Sequence, residues 1–150
     1  MQFTKIKYDG TQVELHIKSN TQIQDDKEIR EFTSKDLPLP SFKQCFDDLK
    51  PYVEEILSLP EGYMADSSIT SVSISHKESG ESVIITCTKK LDDIGRAFNF
   101  NTPLLPMQSE TDGPALPEGC DNVIEKLIFE AKSFYEGLRQ EEPNLFNKGA

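Results

Sequence analysis

Two histidines, three cysteines and several acidic pairs are the residues of this chain whose types could do chemistry. His16 stands between Glu14 and Lys18, and His76 ends an alternating stretch beside a turn. Both read as surface histidines with no catalytic partner. Cys45, Cys87 and Cys120 are far apart, odd in number and free of any C-x-x-C pattern. That usage fits reduced thiols in the cytoplasm better than a disulfide framework. Cys45 falls in an apolar helical stripe and Cys87 within a strand, so both read as small buried hydrophobes. Cys120 lies near the start of a helix, where the terminus would lower its pKa. Acidic pairs occur at Asp25-Asp26, Asp47-Asp48, Glu54-Glu55 and Asp92-Asp93. A metal-dependent hydrolase needs carboxylates that converge on one cation. The two central pairs instead decorate a helix, and spacing gives Asp92-Asp93 no partner. No glycine run has a phosphate-cradling pattern, and no G-x-S-x-G elbow is present. The residues thus point to a protein without catalytic residues, metal or cofactor, one that acts by binding.

The elements that would carry such a surface are legible in the periodicity. In "TKIKYDGTQVELHIK", Ile6 and Tyr8 alternate with lysines, and Val13, Leu15 and Ile17 alternate with Glu14 and His16. Asp9-Gly10 between them predicts a hairpin with a tight primed turn. "EIREFTS" alternates as a third strand. "LPLPSFKQCFDDLKPYVEEILSLP" predicts a helix whose stripe is Phe42, Cys45, Phe46, Leu49, Val53, Ile56 and Leu57. Ser41 and Gln44 are spaced as a capping box, and Pro51 predicts a kink or break. "ITSVSISH" and "VIITCTKK" predict two more strands, with Val72 and Ile74 opposite Ser71, Ser73 and Ser75. "AFNFNTP" predicts a short strand with Phe98 and Phe100 on one face. Residues 103–117, with four prolines, read as a long exposed connection. Val123, Ile124, Leu127, Ile128, Ala131, Phe134, Tyr135 and Leu138 form the stripe of a last helix. The expected fold is α+β: a mostly antiparallel sheet of five to six strands with two helices on one face, in the order β-β-(β)-α-β-β-β-α. The expected organisation is one domain over 1–139, followed by a C-terminal tail over 140–150.

Formal net charge is -10, which argues against direct binding to a phosphate backbone. The charge is unevenly placed. Residues 1–35 carry six acidic and six basic groups, and 67–109 carry four and four. Residues 36–66 carry seven acidic and two basic, and 110–150 carry nine and four, net -5 each. The acidity therefore lies in the two helical segments. No apolar run is long enough to cross a bilayer, and "MQFTKIKYDG" has no apolar core of a signal peptide.

Three binding surfaces follow. The acidic helix faces are either solvated or a decoy for nucleic acid phosphates. The serine-lined side of "SVSISH" is either the open face of a sheet or a contact for another subunit or a polar ligand. The third is the tail. Glu142-Pro143-Asn144-Leu145-Phe146 resembles the peptide with which bacterial replication and repair proteins bind the sliding clamp. In that pattern a glutamine, two variable residues and Leu-Phe enter a hydrophobic pocket. Leu145 and Phe146 match the anchors, Glu142 stands where the glutamine would be, and Pro143 would hold the segment extended. Leu145 and Phe146 have two destinations: the chain's own last helix, or a pocket on another molecule.

"EAKSFYEGLR" followed by Leu-Phe, the opening "MQFTKIKYDG" hairpin and "NTP" after the later strands resemble a group of small uncharacterised bacteriophage and prophage proteins. The resemblance implies a setting, the host cytoplasm, without supplying an activity. The expectation is a non-enzymatic phage or mobile-element accessory protein that binds a protein partner through Leu145, Phe146, Pro143 and Glu142, in DNA replication or recombination. The alternative is a counter-defence protein that sequesters a nucleotide or acts as an acidic decoy. Homo-oligomers are compatible with either.

Overall fold

The computed structural model describes residues 2–18, 29–78, 80–91, 94–107 and 113–139. Seven strands form one antiparallel sheet: β1 (Gln2–Tyr8), β2 (Val13–Lys18), β3 (Ile29–Ser34), β4 (Ser67–Lys77), β5 (Gly80–Leu91), β6 (Arg96–Asn101) and β7 (Leu105–Pro106). Their spatial order is β3-β2-β1-β4-β5-β6, with β7 pairing β5 beyond the end of β6. The path is open, so β3 and β6 are its edges, with no strand beyond either among the described residues. Each strand trio runs outward from the central β1–β4 seam. Each is followed by helix: α1 (Pro40–Asp48) and α2 (Lys50–Ile56) after the first, α3 (Cys120–Tyr135) after the second. The α+β architecture is the expected one. No helix among the described residues is long and apolar enough to cross a membrane.

All helices lie on one side because only one side of the sheet is apolar. Ile6, Val13, Leu15, Ile17, Val72, Ile74, Val83, Ile85 and Cys87 join Phe42, Leu49, Val53, Ile124, Leu127, Ala131 and Phe134 in a single buried cluster. Two bulges bend the alternation to achieve this. One falls between Phe3 and Lys5, so that Phe3 and Ile6 share a face; the other falls between Ile69 and Ser71, so that Ile69 and Val72 do.

Several expectations need correction. The first hairpin turns one residue later than Asp9-Gly10: Tyr8 pairs with Val13, the Asp9 amide donates to the Gln12 carbonyl at 3.4 Å, and Gly10 takes the positive φ of 95°. The Asp9 carboxylate accepts from the Thr11 and Gln12 amides and the Thr11 hydroxyl, which fixes the loop and holds its pKa below 3.8. Ser41 does not cap α1. Leu39 is the N-cap and Pro40 opens the helix. The Ser41 hydroxyl donates instead to Glu130 of α3, 2.9 Å away, and Gln44 donates to Asp48. The break at Pro51 is real: α1 ends at Asp48 and α2 begins at Lys50. Leu138 is not on the α3 stripe. The helix ends at Tyr135, Gly137 takes φ 110°, and Leu138 is exposed. The segment after β6 is not wholly exposed: Thr102, Met107 and Leu116 are buried, and the Leu116 amide donates to the Pro106 carbonyl at 3.0 Å.

Candidate functional site

The side of the sheet away from the helices is uncovered by any described element. Its make-up follows from strand alternation and register. On β1, Lys5 and Lys7 point opposite buried Ile6, and they pair with Ser73 and Ser71 of β4. On β5, Thr86 and Thr88 point opposite buried Ile85 and Cys87, and they pair with Ser71 of β4 and with Asn99 of β6, respectively. Lys5, Lys7, Asp9, Thr70, Ser71, Ser73, Thr86, Thr88 and Asn99 line a shallow depression of about 350 Å³. Ser71 is only 4% exposed at its floor. The Thr88 hydroxyl donates to the Asn99 side-chain oxygen at 2.8 Å, so these polar groups are partly pre-ordered. The serine face read from "SVSISH" is therefore the centre of a wider hydroxyl and amide surface.

Charge separates across the sheet. The same alternation places Lys18, Lys77 and Lys90 on the open side with Lys5 and Lys7, against Glu14 and Glu31. Asp9, at the rim, has its carboxylate occupied by its own loop. In a chain of net charge -10 the open face is thus locally basic, while α1, α2 and α3, with Asp47, Asp48, Glu54, Glu55, Glu125 and Glu130, lie behind it.

The sequence-flagged reactive groups do not converge. All three cysteines are free and buried. Burial pushes the Cys45 thiol up to about 11 and those of Cys87 and Cys120 up to about 12. The lowered pKa expected for Cys120 is overturned: burial outweighs the helix terminus, and Asp121 and Glu55 add to the rise. His16 is the surface residue expected, its Nε2 3.1 Å from Glu14 and its Nδ1 4.0 Å from Glu31. His76 is not. Its side chain is 11% exposed, and its Nε2 lies 2.7 Å from the Phe3 carbonyl, fastening β4 to the start of β1. With Nε2 donating, Nδ1 faces Glu81 at 3.6 Å, too far for a hydrogen bond. Asp47 pairs with Lys50, and Glu54 accepts the Met64 amide at 2.8 Å, anchoring the 3-10 turn Tyr63–Asp66. No group of three or more His, Cys, Asp or Glu suited to a metal ion occurs among the described residues.

Glu142, Pro143, Leu145 and Phe146 lie outside the described residues, as do Asp25-Asp26 and Asp92-Asp93. What the sequence reading missed was Lys5 and Lys7. Both were visible as the polar half of β1, but their convergence with Ser71 and Ser73 requires the β1–β4 pairing, which no local pattern encodes. Compared with family models, curated proteins and solved structures, the chain has no match.

Proposed function

We propose that this protein works by binding a protein partner through its uncovered sheet face, and that the partner presents an acidic segment there. The observation that carries this reading is the set of open-side lysines, Lys5 and Lys7 above all, beside the hydroxyls of Ser71, Ser73, Thr86 and Thr88. Lysine ammonium groups and hydroxyls are donors that suit carboxylates, and the acidic helical layer lies on the opposite side of the sheet. The depression is shallow and open, near the lower limit of small-molecule pockets. That favours a macromolecular contact over nucleotide sequestration. The tail anchors Leu145 and Phe146 would supply a second contact, in the replication or recombination setting that their sequence resemblance implies.

The probe is a glutamate-rich peptide titrated into isotopically labelled protein. Amide shifts should concentrate on β1, β4 and β5 and weaken as salt rises. Lys5→Glu with Lys7→Glu should abolish them without altering the fold. Shifts confined to the helical layer, or unchanged in the charge-reversed variant, would remove the open face as the binding surface. Replacing both Leu145 and Phe146 by Ala tests the tail separately; unchanged affinity for a captured clamp protein would exclude it.

A further inference from the structure

The β6 edge is self-complementary, and we propose that it pairs with β6 of a second copy in antiparallel fashion about a two-fold axis through Asn99. The direction of its free backbone groups comes first. The Thr102 amide donates to the Ile85 carbonyl at 2.9 Å, so the backbone of residue 102 faces β5. Alternation then turns Arg96, Phe98 and Phe100 toward β5 and leaves the N–H and C=O of Ala97, Asn99 and Asn101 facing outward. A two-fold at Asn99 matches Asn99 with itself and Ala97 with the partner's Asn101. Every outward donor thus meets an outward acceptor in hydrogen-bonded pairs.

Side chains obey the same symmetry. Phe98 and Phe100 flank Asn99 and stack on each other at 5.6 Å on the helix side of the sheet. In this register each faces the other's counterpart across the axis, in the close non-hydrogen-bonded pairs where aromatic contacts are strongest. Ile94 and Leu104 both lie five residues from Asn99, and the two-fold brings one to the strand end where the other lies. Ile94 is 63% exposed, Phe98 49% and Leu104 48%. An exposed edge strand flanked by apolar side chains in this way invites strand pairing unless something covers it. Arg96 is the only charge on the strand, and the pairing sets it against Thr102, so no like charges meet. The two open faces would become one continuous surface.

The test is sedimentation velocity over rising concentration in about 0.1 and 0.5 M salt. Each copy is strongly acidic, so association should strengthen with salt, opposite to the binding of a glutamate-rich peptide. This separates failure of the dimer from failure of the proposed function. Half-association is expected at roughly 10–100 µM, the range of a small interface. Asn99→Pro removes an outward N–H and leaves the β5 ladder intact, and Phe98→Lys places a charge in the seam. Each variant should weaken association at least about tenfold while keeping the native circular dichroism. In the wild type, amide exchange at Ala97, Asn99 and Asn101 should slow as concentration rises. A wild type that stays monomeric at about 300 µM, folded variants that associate like the wild type, or a dimer whose three outward amides exchange unchanged would each overturn the pairing.

Discussion

Phe32 and Phe98 occupy matching places, each on the outermost strand of one half of the sheet and on the side that faces the helices. Their surroundings differ. Phe32 packs edge-on against Phe134 at 6.4 Å and Tyr135 at 5.1 Å, under the end of α3. The Arg139 guanidinium lies over Phe134 at 4.6 Å and Phe32 at 5.6 Å, and it also binds Asp36. Phe98 meets Phe100, and only Phe100 reaches the Tyr63 ring, at 6.5 Å. Different elements cover the two strands. α3 is an unbroken 16 residues, whereas the first helical layer is split by Pro51 into pieces of 9 and 7. On the β6 half it is Tyr63, in the 3-10 turn after α2, that reaches the strand through Phe100. Among the described residues, the Phe32 ring is therefore covered by the end of α3, whereas Phe98 stays 49% exposed.

The largest effect should come from cutting the closed half at its centre. Phe134→Ala removes a ring that is 1% exposed, and should lower stability by about 3–5 kcal/mol. Phe98→Ala should stay within about 1 kcal/mol. Urea unfolding of both variants measures the contrast, and similar losses would break the comparison. Next is the start of α3. Gly119 has φ 90°, and a Cβ there would sit 2.6 Å from the Tyr52 hydroxyl. Gly119→Ala should destabilise by about 1–3 kcal/mol, and adding Tyr52→Phe should recover only the steric part. Smaller again are the two cationic clamps. Arg139→Ala should lower stability by roughly 1 kcal/mol, because it also loses a hydrogen bond to the Phe134 carbonyl. Lys89, 3.8 Å over the Tyr63 ring and 3.6 Å from Asp66, should contribute roughly half as much. Equal effects would mean that the two edges are clamped alike.

The smallest concerns the loop of the first hairpin. The Asp9 carboxylate is held below 3.8, first by the Thr11 amide and then by the Thr11 hydroxyl. A depressed folded value means that its contribution is present above 3.8 and is lost as pH falls through the folded value. Carboxyl titration by NMR should place Asp9 below the usual aspartate range, and Asp9→Asn should flatten the acid limb of stability slightly.

The sequence carried those features whose causes are local. Val13, Leu15 and Ile17 declare their strand by alternation, and Pro51 declares its break by chemistry. Features with distant causes were hidden. Ser41 looks like a cap until Glu130, 89 residues away, takes its hydroxyl. The bulges at Phe3/Lys5 and Ile69/Ser71 shift the alternation without a marker residue. Leu116 reads as part of a polar loop, yet the core takes it. The hydroxyl half of the candidate face was visible in "SVSISH". Its lysine half depends on a strand pair joined across most of the first half of the chain.

That central β1–β4 seam also sets the order in which the molecule can assemble. β4 and β5 are 11 and 12 residues long and meet through a tight connection, so their register can be fixed early with little loop entropy lost. Pairing Ile6 with Val72 instead requires closing a loop that contains β2, β3 and both short helices. Long-range pairings of this kind slow folding. The long hairpin should therefore act as the nucleus and the seam as the late step. Substitutions at Ile85 should slow refolding, whereas those at Ile6 should chiefly accelerate unfolding.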